Sequence, residues 1–166
     1  MKGEQVMNAN TPSNKFAERE LTITRVFDAP RALVFKVWTD PKHLAQWWGP
    51  QGFTNPVCEF DAHVGGELCI HMRAPDGSVY PMKGVICEFA PPERLAFTSI
   101  AVDAAGNHLL EGLTTVLFDE ENGKTKLTLH TGMVAVVEKA KANLQGMEMG
   151  WTQSIDKLQA YIARIA

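Results

Sequence analysis

The feature that most constrains this chain is a change of period. Over Leu21–Phe27, and again from Asn55 to Thr131, apolar residues recur at every second position in short runs broken by turn residues. From Gly146 to Ile165 they recur every third or fourth position instead. Period two marks strands with one buried face, and a period near 3.6 marks a helix with one apolar stripe. A sheet with one polar side must bury the other, and only the final helix is long enough to cover it. A straight helix against a curved sheet leaves a gap, and a gap of that kind is where a pocket forms.

Turn chemistry sets the boundaries. Asp28-Ala29-Pro30 stops the first strand; Asp28 is placed to cap the next helix, and Pro30 suits a first helical turn. Arg31–Thr39 carries Leu33, Val34, Val37 and Trp38 at helical spacing. Pro41–Trp47 reads as a second short helix, ended by Gly49-Pro50-Gln51-Gly52. Strands then follow over Asn55–Ala62, Glu67–Arg73, Val79–Phe89, Leu95–Val102, Leu109–Asp119 and Lys124–Thr131. Gly65-Gly66, Pro75-Asp76-Gly77, Pro91-Pro92 and Asn122-Gly123 separate them, residues that preset or permit turn dihedrals. Such short connections make antiparallel neighbours. Val134–Ala142 reads as a helical piece before the long helix, whose stripe is Met147, Trp151, Ile155, Leu158 and Ile162.

The expected fold is α+β: a curved seven-stranded antiparallel sheet wrapped around a long C-terminal helix, with two short helices between the first two strands. Residues 1–18 are polar and read as a flexible arm; residues 19–166 form one domain. A chain of 166 residues needs neither disulfide nor metal to build its core. A net charge of −3 disfavours a nucleic-acid partner, which requires clustered Lys and Arg. No apolar run reaches the roughly 20 residues of a membrane span, and Met1–Glu20 lacks the apolar core of a secretory signal, so the expected location is the cytoplasm. Cys58, Cys69 and Cys87 are odd in number and match no metal spacing, so they read as reduced apolar residues.

Several motifs in this order carry a resemblance. They are Phe27-Asp28-Ala29-Pro30, Asp40-Pro41, Trp47-Trp48-Gly49-Pro50, Asp61 with Gly65-Gly66, Pro75-Asp76-Gly77, Pro92-Glu93-Arg94-Leu95 and Gly150-Trp151. Over about residues 20–165 the chain resembles the START-like superfamily, also called SRPBCC or the helix-grip fold. Within it the resemblance is to the branch of activators of the Hsp90 chaperone ATPase, often labelled polyketide cyclase-like. That resemblance implies the helix-grip architecture and a pocket for a hydrophobic or aromatic molecule. The branch commonly has Arg where this chain has His63, which puts in doubt any ion pair assumed for that Arg.

No nucleophile elbow, phosphate loop or H-E-x-x-H motif is present, so no catalytic residue, metal ligand or cofactor is assigned. Strand parity selects the expected pocket wall: Leu68, Ile70, Met72, Met82, Phe97 and Val116, facing Met147, Trp151 and Ile155 of the helix. The same residues would be needed as plain core. Glu88 shares the parity of Met82, Gly84 and Ile86 and is the one candidate for an inward carboxylate, against a structural role beside Pro91-Pro92. Of Trp47 and Trp48, one is expected in the core and the other at the pocket rim or a partner surface. The favoured function is binding of a hydrophobic small molecule. A lyase- or cyclase-type enzyme and a chaperone-associated interaction module are the alternatives, and exposed Trp with free strand edges makes a homodimer plausible.

Overall fold

The computed structural model describes residues 18–166; apart from Glu18, the expected N-terminal arm lies outside the described residues. The chain runs β1 (Arg19–Phe27), α1 (Arg31–Thr39), α2 (Pro41–Leu44), β2 (Thr54–Phe60), β3 (Glu67–Arg73) and β4 (Val79–Ala90). It continues through β5 (Arg94–Val102), β6 (His108–Glu121), β7 (Lys124–Ala135), α3 (Lys141–Gln145) and α4 (Met147–Ile165). The strands form one antiparallel sheet in the order β1-β7-β6-β5-β4-β3-β2. From β2 to β7 every strand pairs with its sequence neighbour. β1 alone crosses over, closing on β7, so α1 and α2 connect opposite edges of the sheet.

Inward parity holds along most of the sheet. Leu68 and Ile70 on β3, Leu95 and Phe97 on β5, Val116 and Phe118 on β6, and Leu127 and Leu129 on β7 are buried. Against them α4 places Ile155, Leu158 and Ile162, which are also buried. The polar side of α4 makes surface contacts, such as the Arg25–Asp156 pair at 2.8 Å.

Three local expectations need correction. Pro30, not Asp28, occupies the N-cap of α1, and no side chain caps it. The second helix stops at Leu44, and its cap is supplied by Asp40 Oδ1, which accepts from Lys42 N at 2.9 Å. The residues after Thr131 are still strand: β7 runs on to Ala135, and the helical piece is confined to Glu138–Ala140 and α3. Val134 and Ala135 pair with Glu111 and Leu110, and Ala135 N donates to Glu18 Oε1 at 3.0 Å. Those ladder bonds outweigh the helical spacing of a few apolar residues.

Truncating Ile155 to Ala should therefore cost about 2–5 kcal/mol, because a fully buried side chain leaves a cavity behind. Asp156→Asn, at the half-exposed pair beside it, should stay within about 1 kcal/mol. Urea unfolding monitored by circular dichroism reads both, and near-equal effects would refute this placement of the α4 stripe.

Candidate functional site

Four tryptophans divide the space between α4 and the sheet. Trp38 of α1 meets Trp47 edge-on at 4.6 Å between ring centroids and stacks on Trp151 of α4 at 6.3 Å. Trp48 meets Trp151 at 5.3 Å and Phe97 of β5 at 6.2 Å. Because α2 ends at Leu44, the chain turns through Ala45–Trp47, and both adjacent tryptophans are buried. Trp47 lies wholly in the core and donates its Nε1–H to Val37 O at 3.1 Å, so it is not a rim residue. Trp48 faces the open side.

On one side of this cluster the groove is filled. Leu68, Ile70 and Phe97 close on Trp38, Leu44 and Phe60, leaving no room for a water-sized molecule. Val116 and Ile155 are fully buried in the same core. These five residues, expected on the pocket wall, serve packing instead, because the indoles occupy the groove above them.

On the other side lies a cavity of about 230 Å³. Its helix wall is Met147, Gly150, Trp151 and Ser154, one face of α4 at spacings of three and four. Its sheet wall includes Met72, Met82, Thr114 and Met133, and Leu144 of α3 also lines it. Of the expected wall, Met72, Met82, Met147 and Trp151 line it, joined by Trp48. It is smaller than the roughly 300–1,000 Å³ usual for ligand pockets. Four of the chain's seven methionines line it, which suits a shape-tolerant wall, since Met is unbranched and polarizable.

Gly112 sets the depth of the floor. A Cβ there would lie 2.0 Å from Met133 Sδ and 2.5 Å from the Gly132 carbonyl oxygen. Met133 therefore folds flat across a bare stretch of backbone. The loop after Trp48 forms the roof edge. Lys157 donates through Nζ to the carbonyls of Gly49, Pro50 and Phe53 at 3.2, 3.1 and 3.4 Å. Gln51 N donates to Gln153 Oε1 at 3.0 Å, so two α4 side chains hold this loop. Burial pulls the Lys157 ammonium below its ordinary pKa of 10.5.

Glu88 is not in the cavity. A β-bulge between Ile86 and Glu88 sets two steps of β4 against one of β5, since Ile86 pairs with Phe97 and Glu88 with Ala96. The parity expected for Glu88 flips there. Phe89 turns in to meet Phe35 at 5.5 Å, while Glu88 lies outside and accepts from Arg94 Nε at 2.9 and 3.0 Å. His63 is likewise exposed; its Nε2 lies 3.0 Å from Asp61 Oδ2. Its pKa is raised by the backbone contact to Val64 and then by Asp61. His63 thus takes up a contact with the nearby Asp.

The thiols are held protonated. Burial, with Cys69 and Glu59 nearby, pushes Cys58 up to about 11, and burial also raises Cys69 and Cys87. Among the described residues no cluster of His, Cys, Asp and Glu is placed to hold a metal ion, and no helix is long and apolar enough to cross a membrane. The residues lining the cavity include no carboxylate, imidazole, ammonium or guanidinium group.

Parity alone missed Ser99, Thr114 and Thr131, which line the cavity from three adjacent strands. The signal was in the sequence. Ser99 follows Leu95 and Phe97 by steps of two, Thr114 precedes Val116 and Phe118, and Thr131 follows Leu127 and Leu129. The same pattern also marks Thr125, which lies instead in packed core and donates to Ala29 O at 2.7 Å.

Comparison with known proteins places this geometry. The family described as Activator of Hsp90 ATPase homolog 1-like protein matches residues 28–163. A crystal structure of a protein from Chromobacterium violaceum is 28% identical, with a TM-score of 0.74, covering 86% of this chain and 95% of that one. The AHSA1 protein of Silicibacter pomeroyi is 25% identical, with a TM-score of 0.75, covering 89% and 99%. A solution structure from Arthrobacter aurescens is also 25% identical, with a TM-score of 0.76, covering 93% and 90%. No curated protein matches the chain.

Two outcomes test the site's construction. Gly112→Ala should destabilise the protein by about 1–3 kcal/mol, since Met133 can swing aside but the Gly132 carbonyl cannot; an unchanged denaturation midpoint would contradict the floor described. For Lys157, a lowered folded pKa means that the unfolded chain binds more protons once pH passes that pKa. Its contribution to stability therefore rises with pH from the folded pKa up to about 10.5. Subtracting the pH–stability profile of Lys157→Met from that of the native chain should isolate this alkaline rise, and a flat difference would show that the ammonium is not buried against the loop.

Proposed function

The chain belongs to the Activator of Hsp90 ATPase homolog 1-like family, and we propose that it binds a small hydrophobic molecule between α4 and the sheet. The observation that carries this reading is the apolar, methionine-lined cavity of about 230 Å³ beside Trp48 and Trp151. An apolar cleft of that size in a domain whose other half is tightly packed offers surface that a small apolar molecule can cover. An engineered cavity of about 150 Å³ takes benzene, which scales to a ligand of on the order of ten non-hydrogen atoms here. Aromatic or compact alicyclic molecules fit that bound. A long acyl chain does not, unless the methionines move.

The lining favours binding over reaction. A lyase or cyclase working by proton transfer needs a group that titrates near the working pH. Glu88, the one candidate for an inward carboxylate, is not among the lining residues. A chaperone-associated role rests on the family description alone, and fold-level analogy is a weak warrant for it.

Filling the cavity tests the reading without weakening the fold. The Cβ site at Gly150 meets only Pro50 Cγ, at 3.8 Å, so Gly150→Leu has room to grow into the cavity. The variant should match or exceed the native melting temperature, because a mid-helix glycine costs about 0.5–1 kcal/mol relative to alanine. It should also lose the thermal shift and the tryptophan-fluorescence change that neutral aromatic compounds cause in the native chain. Native mass spectrometry of protein purified without delipidation gives an independent readout. If neither form responds to any neutral aromatic or alicyclic compound, the binding reading fails.

A further inference from the structure

Besides Tyr80, Asn143 and Ser154 at its edge and helix wall, the cavity has polar side chains along one line of the sheet. Thr114 of β6 and Thr131 of β7 are direct ladder partners, and their hydroxyl oxygens lie 2.8 Å apart. Ser99 of β5 pairs with Gly112, two residues before Thr114, which makes it the diagonal neighbour of Thr114 on the same face. Gly112 carries no side chain to cover them. All three are buried: Thr114 is 1% exposed, Thr131 0% and Ser99 9%.

Their hydrogens do not all find acceptors. Each hydroxyl owns one hydrogen and two lone pairs. The threonine pair uses one hydrogen between its oxygens. Among the described residues no bond within the chain uses the second threonine hydrogen or Ser99 Oγ, and none of the three oxygens is sealed away without a partner, as Trp38 Nε1 and Asn55 Oδ1 are, so they stay reachable from the cavity. Hydroxyls reachable from the cavity and only partly used within the chain are free to bond a partner that enters it. The partner must be neutral, because no charged side chain lines the cavity and an unpaired charge there would be heavily penalised.

We propose that Ser99, Thr114 and Thr131 form the polar anchor of the cavity and select an uncharged ligand bearing one carbonyl oxygen. A carbonyl oxygen has two lone pairs, enough for the free threonine hydrogen and the Ser99 hydrogen. The remainder of the ligand then lies against the methionines and the two indoles. The proposal rests on the binding reading given above and adds the chemistry that orients the ligand.

The test uses two compact probes of matched shape, indane and 1-indanone, in which a ketone replaces one methylene. Titration of the full chain is followed by tryptophan emission and calorimetry. The native protein should bind 1-indanone about three- to tenfold more tightly than indane, the range expected of a net hydrogen bond. In Thr114→Val/Thr131→Val that preference should vanish while indane affinity stays within about twofold of native. Ser99→Ala, which removes a single oxygen, should reduce the preference in the same direction and serves if the double variant does not fold. Should the native chain bind indane as tightly as 1-indanone, or should both variants keep the native preference, the anchor is wrong and the binding reading survives. If neither probe binds the native chain up to its solubility limit, the anchor as drawn for compact ketones is wrong, and the wider screen above decides the binding reading.

Discussion

The structure depends on where its indoles sit. Trp38, Trp47, Trp48 and Trp151 come from α1, from the turn after α2 and from α4, and they meet edge-on or stacked at 4.6–6.3 Å. Aromatic pairs in these arrangements contribute about 0.5–1.5 kcal/mol each beyond the area they bury. Their larger consequence is geometric. They plug the middle of the groove between helix and sheet, so the space cannot be a uniform channel. One end becomes core and the other a cavity, and Trp48 and Trp151 are wall to both.

That division explains why the two ends of α4 differ. From Ile155 onward the helix is stapled by a wholly buried stripe and by polar contacts such as His43 with Tyr161 Oη at 2.7 Å. Before it, Met147, Gly150 and Ser154 face empty volume. The first turns of the helix are therefore held by what closes over them: the Gly49–Phe53 loop, through Lys157 and Gln153, and α3. An entry route for a ligand is most easily made where few apolar contacts must be broken. The exposed Tyr80 and Asn143 mark that side of the cavity.

The architecture was legible because its periodicities are strong. The bounds of α1 and of β3 can be read from the residues alone, and the apolar stripe of α4 needs no more than a step of three or four. The site was legible only in part, for two physical reasons. Parity is a local rule that a single extra residue resets, and the bulge before Glu88 is such a residue; nothing in Ile86-Cys87-Glu88-Phe89 announces it. An apolar wall and an apolar core also use the same side chains. Leu68 and Met72 share a strand and a face, yet one packs beneath the indoles and the other borders the cavity. Deciding between them requires the position of Trp48, which depends on a helix ending at Leu44, three residues earlier than its spacing suggests.

The hydroxyls at Ser99, Thr114 and Thr131 raise a question of stability. A buried hydroxyl with an unmet hydrogen costs on the order of 1–3 kcal/mol, and an apolar residue of similar size would carry no such cost. A domain built only to be stable would place Val or Ala at these registers, as it places Leu at 127 and 129 and Val at 116. Three buried hydroxyls of the sheet, Ser99, Thr114 and Thr131, stand where it faces open volume; Thr125 lies in packed core and donates to Ala29 O at 2.7 Å. The hydroxyl in packed core is tied to a backbone carbonyl, whereas among the described residues the three at the cavity make no hydrogen bond beyond the Thr114–Thr131 pair. A ligand that accepts those hydrogens gains bonds that the chain does not make for itself.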